Sequence, residues 1–485
     1  MSRASHRAGR NRARPLIRAG LAGAMMLALG GCASYQPRPL DPERVARQFE
    51  QRTISNPGLC AYLDANLAAR PLACPPARWD LAALTLVGFY YSPDIAVADT
   101  QVQSAAAAIV TAGARPNPVV GLGPQYDLRS SPSFAPWALG YFSLDLPIET
   151  AGKRGYRTAA SERLADAARL AAGETAWSVR SRIRTALVRL LLDRIDADLA
   201  AKKQRTLAAA VELINARVRT GYAGAPELDL ARSNLGGARL AAAQAQARVR
   251  ADDGALAQAL GIPAQALTGV EFSWDALDDP PEEQSLSPAE VQRMAVLNRI
   301  DLRRELAQYS AADEALKLEI AEQYPDLNLA GGYSWEGGEN IFELGPSLAL
   351  PVFNQNQGPI GQARAQRNLV AAQFLAMQAE VIAQARIALI NYRGALAALA
   401  AARSAASHQA RRYRQARRAL AAGESDALAA STVRLQDLDT QAAALQALRN
   451  TQLALGALED AMQRPLDQEA SGRFTFPPPR PQGGQ

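Results

Sequence analysis

Two periodicities alternate along this chain, and then the alternation repeats. From Trp79 to Ala114 apolar residues recur every three or four positions, the spacing of a helix, until Arg115-Pro116-Asn117-Pro118 stops the run. The period then drops to two. Val120, Leu122, Tyr126 and Leu128 fall on one side of an extended chain, with Gly121, Gly123, Gln125 and Asp127 on the other. Before Pro147 a return strand sets Phe142, Leu144 and Leu146 against Tyr141, Ser143 and Asp145. Past Gly152-Lys153-Arg154 the helical period resumes, and from Arg157 to Gly221 there is no proline and a single glycine, Gly173. That run predicts one helix of about 65 residues, roughly 100 Å long, a length without use inside a globular domain. Gly221-Tyr222-Ala223-Gly224-Ala225-Pro226 turns it, and the chain returns along Glu227 to Leu260.

The second half repeats the first. A helical run from Ser287-Pro288 to Gln323 ends at Tyr324-Pro325. Then Leu327, Leu329, Tyr333 and Trp335 oppose Asp326, Asn328 and Ser334, and Phe342, Leu344, Leu348 and Leu350 oppose Glu343, Ser347 and Ala349. A long helix from Gln362 turns at Gly423 and returns to Met462. Gly254 to Pro263 lies on Gly456 to Pro465 with five of ten residues identical at an offset of 202, and the same offset takes Gly221 to Gly423. The offset is 204 at Pro147 and Pro351 and 207 at Asp94 and Asp301, as small loop insertions require. The unit is too long for a solenoid repeat. The predicted organisation is a leader over 1–31, a tail over 32–78, repeat 1 over 79–271, a linker over 272–286, repeat 2 over 287–466 and an unstructured tail over 467–485. Repeat 1 holds a strand hairpin at 118–148 and a helical hairpin at 153–261; repeat 2 holds the same pair at 325–353 and 358–464.

Each strand is about ten residues long, which suits either a soluble hairpin laid on a helix or a tilted span of a membrane β-barrel. Two such hairpins, each feeding a very long helix, favour the barrel, with Tyr126, Trp137, Tyr333 and Trp335 available to the interfaces. Four strands cannot close in a bilayer, because open edges leave backbone groups unpaired in hydrocarbon. Subunits must therefore share a barrel: two give eight strands, filled by side chains, and three give twelve, wide enough to stay open. The helices carry matching stripes, Val370, Phe374, Met377, Val381, Ala385, Ala388 and Tyr392 in one and Ile183, Leu187, Leu191, Ile195 and Leu199 in the other. Their spacing is that of knobs-into-holes packing, as in an ordinary coiled coil or the wall of a tunnel.

Charge changes this picture little. The leader carries Arg3, Arg7, Arg10, Arg12, Arg14 and Arg18 and no acid, and without these six the body balances at 47 basic and 47 acidic residues, so the basic excess does not indicate a nucleic-acid partner. Ala19 to Gly31 is apolar and too short to span a bilayer, the form of a secretory signal. It ends Leu29-Gly30-Gly31-Cys32, which resembles the bacterial lipobox; that resemblance implies lipidation of Cys32, and Ala33 after it implies delivery to the outer membrane. In an oxidising compartment Cys60 and Cys74 either pair or stay free. From Cys32 to Arg78 the chain reads as irregular, with one helical patch near Glu43 to Gln51, and Phe272 to Leu286, holding Asp278-Asp279-Pro280-Pro281-Glu282-Glu283, reads as a linker.

No nucleophile, base and orienting group fall into a catalytic motif, so no catalytic residues are expected. The body's one histidine, His408, lies in a helical run without ligand-spaced neighbours, so no metal site and no cofactor are expected either. Lys153, Arg154 and Arg157 read as strand-to-helix junction residues below the strands or as a phosphate or metal site.

The duplicated layout, the prolines at the strand boundaries, Leu348-Ala349-Leu350-Pro351-Val352-Phe353 and the glycine turns together resemble the TolC-like outer-membrane factor family over the whole body of the chain. Ala114-Arg115-Pro116-Asn117-Pro118, with Leu146-Pro147-Ile148-Glu149-Thr150-Ala151-Gly152-Lys153-Arg154 and Arg157, resembles the branch serving heavy-metal cation pumps. The resemblance implies a mainly α fold with membrane β: a homotrimer whose twelve-stranded outer-membrane barrel continues into a periplasmic helical barrel. It implies docking to a periplasmic adaptor and an inner-membrane RND-type transporter, contact with outer-membrane lipid, and passive export of metal cations. Drug efflux or type I secretion is the alternative within the family, and a periplasmic coiled-coil adaptor lipoprotein the alternative outside it. By position the tip turns are Gly221, Gly224 and Gly423, and the carboxylates after them, Glu227, Asp229, Glu424 and Asp426, either gate the pore or cap helix N-termini. Their spacing departs from that of related ducts, since the positions ten after each glycine are Ala231 and Val433.

Overall fold

The computed structural model describes residues 34–67, 74–126, 137–282, 287–336 and 339–466. Cys32 and the leader, the tail over 467–485, Asp127, Leu128 and residues 283–286 of the linker lie outside the described residues. The described chain up to Gln51 is a unit of its own, holding helix α1 (Pro42–Glu50), whose N-cap Asp41 accepts from the N–H groups of Glu43 and Arg44. The second unit begins at Arg52.

That unit opens with a helix absent from the sequence reading, α2 (Pro57–Asn66), capped by Asn56 and holding Leu59 and Leu63 in the core. Cys60 in α2 is bonded to Cys74, with Cα atoms 5.8 Å apart. Next, the single helical run expected from Trp79 to Ala114 is two helices, α3 (Leu81–Tyr91) and α4 (Pro93–Ala112), bent by 57°. Pro93 lacks the N–H that would bond back into α3, and it holds Ser92 extended at φ −60, ψ 126. The second run is also two helices, α7 (Pro288–Asn298) and α8 (Ile300–Ala321), parted at Arg299, φ −57 and ψ 118. Among the described residues no single helix is long and apolar enough to cross a membrane.

The strands are β1 (Val119–Tyr126), β2 (Trp137–Ile148), β3 (Leu327–Glu336) and β4 (Glu339–Leu348), and they form one antiparallel sheet in the order β1-β2-β3-β4. β4 stops at Leu348, so Leu350 lies beyond the strand it was expected in. Three prolines sit where a missing donor is harmless. Pro124 and Pro346 are on the two edge strands, and Pro147 lies past Asp145, where β1 stops pairing with β2.

Below the sheet run α5 (Lys153–Arg219), α6 (Ala225–Leu260), α9 (Gln357–Ala421) and α10 (Ala427–Met462). α5 packs on α6 and on α10, and α10 packs on α9, so the order across the subunit is α6-α5-α10-α9 with α6 and α9 at the edges. This order explains a departure from the expected stripe. Ile183, Leu187 and Leu199 are buried, but Ile195 is 43% exposed, while Val188, Leu190 and Leu192 are fully buried. A helix with neighbours on both sides buries two stripes, and a one-stripe coiled-coil pattern undercounts them. The linker is likewise packed, not free. Phe272 bridges to Trp79, Leu277 is buried, and Tyr392 Oη donates to the Pro281 carbonyl at 2.5 Å.

Candidate functional site: a bare sheet face, its junction and the hairpin tips

The register of the sheet sorts its side chains. Leu122, Phe142, Tyr333 and Phe342 stand in one row across all four strands; Val120, Leu144, Gly331 and Leu344 form the next. Leu146 with Leu329, and then Ile148, Leu327 and Leu348, complete the same face. The opposite face carries Ser143, Asp145, Asn328, Ser334, Glu343 and Ser347, with Val119, Tyr141 and Ile341 among them. Among the described residues no helix covers the apolar rows: on edge strand β4, Phe342 is 79% and Leu344 81% exposed. At roughly 25 cal/mol per Å² of apolar surface, leaving such a face in water is unfavourable by several kcal/mol. The two edges present unpaired N–H and C=O groups besides. Apolar outside, polar inside and open at both edges is the chemistry of a barrel segment facing lipid.

At the base of the sheet Lys153, Arg154 and Arg157 all find partners inside the subunit. Lys153 is buried, with Nζ 2.9 Å from Asp326 and 3.1 Å from Glu322. Burial works against its ammonium, but the bonds it donates to Asp326 and Glu322 outweigh this and hold its pKa above the ordinary lysine value. Arg157 forks onto Glu149 at 2.7 and 3.2 Å and donates to the carbonyls of Ala112 and Ala114, while Arg154 Nε donates to the Gly113 carbonyl at 2.6 Å. These are the orphan carbonyls at the C-terminus of α4, where cations are favoured. The junction ties α5 of the first repeat to the α8–β3 turn of the second.

At the far end, the two tips turn alike. Gly221 (φ +78) and Gly423 (φ +76) take the left-handed conformation. The N–H after each glycine reaches back five residues, Tyr222 to Arg217 at 2.8 Å and Glu424 to Ala419 at 2.9 Å, a Schellman closure. Beyond the turns they differ. Gly224 precedes α6 with no side-chain cap, whereas Asp426 caps α10 by accepting from the N–H groups of Leu428 and Ala429, 2.8 Å each. Asp426 also pairs with Arg217 at 3.4 Å, joining the two tips, and its pKa is lowered by these N–H groups and the guanidinium. Asp229 pairs with Arg232 at 3.6 Å; Glu227, in the first turn of α6, and Glu424 are exposed. The four tip carboxylates thus divide: two are engaged within the subunit and two point to solvent.

Between sheet and tips lies a buried ionic cluster that periodicity did not reveal. Glu459 on α10, fully buried, stands 3.2 Å from both Arg180 and Arg184 on α5. Arg184 donates to the Gln452 carbonyl at 2.8 Å, and Asp460 accepts from Trp177 and Ser181. One sequence signal was available: Glu459-Asp460 lies opposite Ala257-Gln258 in the duplicate. Among the described residues no group of three or more His, Cys, Asp or Glu side chains could hold a metal ion. His408 is exposed, with Nδ1 2.7 Å from Arg411.

Comparison with known proteins agrees with this geometry. Residues 91–262 match the family model described as "Outer membrane efflux protein". The chain is 25% identical over 236 residues to the cobalt-zinc-cadmium resistance protein CzcC of Cupriavidus metallidurans, an alignment covering 48% of this chain and 55% of CzcC. It thus spans about half the length of that curated relative. Among solved structures, the outer membrane protein VceC of Vibrio cholerae superposes with a TM-score of 0.63 at 16% identity, covering 80% of this chain and 97% of VceC. The outer membrane channel MtrE of Neisseria gonorrhoeae superposes with a TM-score of 0.62 at 17% identity, covering 80% and 90%. At such identities the structures speak to the fold, which is the TolC-like one of a helical barrel joined to a β-barrel.

Proposed function

We propose, from the match of residues 91–262 to the outer membrane efflux protein model and the likeness to CzcC, that the chain is the passive exit duct of a tripartite efflux system. Three copies pool their sheets into a twelve-stranded barrel in the outer membrane and their helical hairpins into a periplasmic tube. An inner-membrane RND-type transporter drives export through a periplasmic adaptor at the tip end, and lipid on Cys32 anchors the chain. The observation carrying this reading is the sheet, with apolar rows bare on one face, polar residues on the other and both edges open. No step of chemistry is involved: the duct works by being continuous and wet.

Heavy-metal cations are the proposed cargo, supported by likeness to a protein named for cobalt, zinc and cadmium resistance. At the tips, Glu227, Asp229, Glu424 and Asp426 form the proposed cation-sensitive constriction. Glu227 and Glu424 are the stronger pair, since Asp229 and Asp426 already hold arginines. The duct reading is tested by single-channel recording in planar lipid: stepwise conductance is expected, and its absence contradicts the reading. Neutralising the four carboxylates should alter conductance or cation block. The cargo is tested by gene deletion. Lost tolerance of zinc, cobalt and cadmium is expected; unchanged metal tolerance with lost tolerance of lipophilic antibiotics moves the assignment to drug efflux.

A further inference from the structure

The edge helix α9 has a face that its own subunit leaves without a counter-charge. From Val381 to Ala421 it holds eight arginines and no acidic residue. Five of them, Arg403, Arg411, Arg414, Arg417 and Arg418, are exposed and fall within about 120° on a wheel of 3.6 residues per turn. They make a straight basic stripe about 22 Å long at 1.5 Å per residue. The stripe lies away from α10, which α9 meets instead through Gln409 and Arg412, both bonded to Gln436. Arg403 donates to the Asp278 carbonyl, and among the described residues no carboxylate pairs with any of the five.

The duplicate shows that the fold does not need this charge. At the same height on α5, an offset of 202 gives Ala201, Ala209, Glu212, Asn215 and Ala216. α5 lies between α6 and α10 whereas α9 stands at an edge, so the charge is found on the copy whose flank its own subunit leaves uncovered. A second copy does not supply the acid along most of the stripe. The other edge helix, α6, carries Arg232, Arg239, Arg248 and Arg250 and no acidic residue from Leu230 to Ala251. Where copies close edge to edge, both walls of the groove between them are basic. The bilayer at the sheet is out of reach as well, because the stripe lies about 70 to 90 Å along α9 from its start at Gln357.

We propose that this stripe is a lateral docking surface for an acidic α-helix of a periplasmic partner protein. Its arginines, spaced three, four and seven to eight apart, match carboxylates on one face of a helix laid alongside α9. The inference deepens the partner half of the proposed function and rests on it to that extent; it places a contact on the flank of the hairpin, separate from the tip.

The test uses the full chain in detergent and a labelled alanine-based helix of about 25 residues, with glutamates on one face, read by fluorescence anisotropy. The acidic peptide should bind, weaken at least about tenfold between about 50 and about 200 mM salt as screening shortens, and lose at least about tenfold on combined Arg403→Gln, Arg411→Gln, Arg414→Gln and Arg418→Gln. A control removing the same charge elsewhere, Arg205→Gln, Arg303→Gln, Arg364→Gln and Arg386→Gln, should bind within about twofold of the parent. A photoreactive peptide should cross-link to the 403–418 segment of the unsubstituted chain. Equal binding of the glutamine version of the peptide, equal loss in both variants, or cross-links elsewhere overturn the proposal. So does unchanged peptide binding with a shifted reversal potential in the stripe variant, which puts the arginines in the lumen. Oligomer mass and conductance are read on the same samples, so lost peptide binding with both intact bears on the docking surface and leaves the duct standing.

Discussion

The two halves of the chain make the same turn and close it with different chemistry. Gly261 and Gln463 are equivalent, 202 residues apart, and both are left-handed, at φ +74 and +47. In the first half the position must be glycine, because a Cβ would stand 2.8 Å from the Tyr91 carbonyl oxygen. Arg52 Nη1 then ties the carbonyls of Gly261 and Tyr91 together at 2.7 and 3.1 Å. In the second half Gln463 tolerates the strained φ, and its Oε1 accepts from Ile300 N at 2.6 Å. The residue corresponding to Ile300 is Pro93, which has no N–H to satisfy. A polar group that one half removes, the other half satisfies.

The middle of the molecule teaches the same lesson with charge. Ala257 and Glu459 are equivalent and both buried, the one against apolar neighbours and the other between two arginines. Asp252 in the first half corresponds to Ala454 in the second, and it lies against Asp193, to which Arg449 of the second half binds. Duplication kept the backbone while each half came to depend on charges in the other.

The largest expected effect breaks the central contrast. Glu459→Ala makes the second half resemble the first at that site but takes the shared carboxylate from two buried guanidiniums, and it should cost about 3–5 kcal/mol in denaturant unfolding. Glu459→Gln, which keeps the acceptor, should cost less. If the alanine variant unfolds at the parent's midpoint, the cluster does not hold the halves together.

Next come the turns. Gly261→Ala should cost about 1–3 kcal/mol from left-handed strain and the meeting with Tyr91. Gln463→Gly should stay within about 1 kcal/mol of the parent, relief of strain offsetting the lost bond to Ile300. Equal effects in melting experiments would mean that the turns are closed alike.

The smallest effect is a slope with pH. Burial and the neighbouring Asp193 push Asp252 up to about 6. Between about pH 4 and pH 6 the folded chain therefore holds a proton that the unfolded chain has shed. The stability gained there is present at acid pH and lost as pH rises through 6. From about pH 5 to about pH 7.5 the unfolding midpoint should fall, and Asp252→Asn should remove that part of the slope. A variant with the parent's slope places the titration elsewhere.

Local chemistry made much of this legible in the sequence. The strand period was readable because one face of the sheet is apolar, and the tip glycines because only glycine takes φ near +77 cheaply. Proline is compatible with the first turn of a helix, so Pro93 hides the break it makes; the matching break at Arg299 has no proline at all. Helix α2 is not legible although Asn56-Pro57 is a start signal, since ten residues carry too little apolar period to register. The Glu459 cluster joins residues 279 apart in sequence, beyond the reach of any periodicity. Of the tip carboxylates, sequence placed all four at the turns but could not separate Asp426, held by two N–H groups and Arg217, from exposed Glu227 and Glu424.

The account rests on subunits completing one another's sheet, and the most direct test is the mass of the detergent-extracted protein by light scattering with the detergent contribution subtracted. Three chains per particle are predicted, twelve strands closing without an edge. A particle of one chain, with its apolar rows covered by detergent alone, would contradict it.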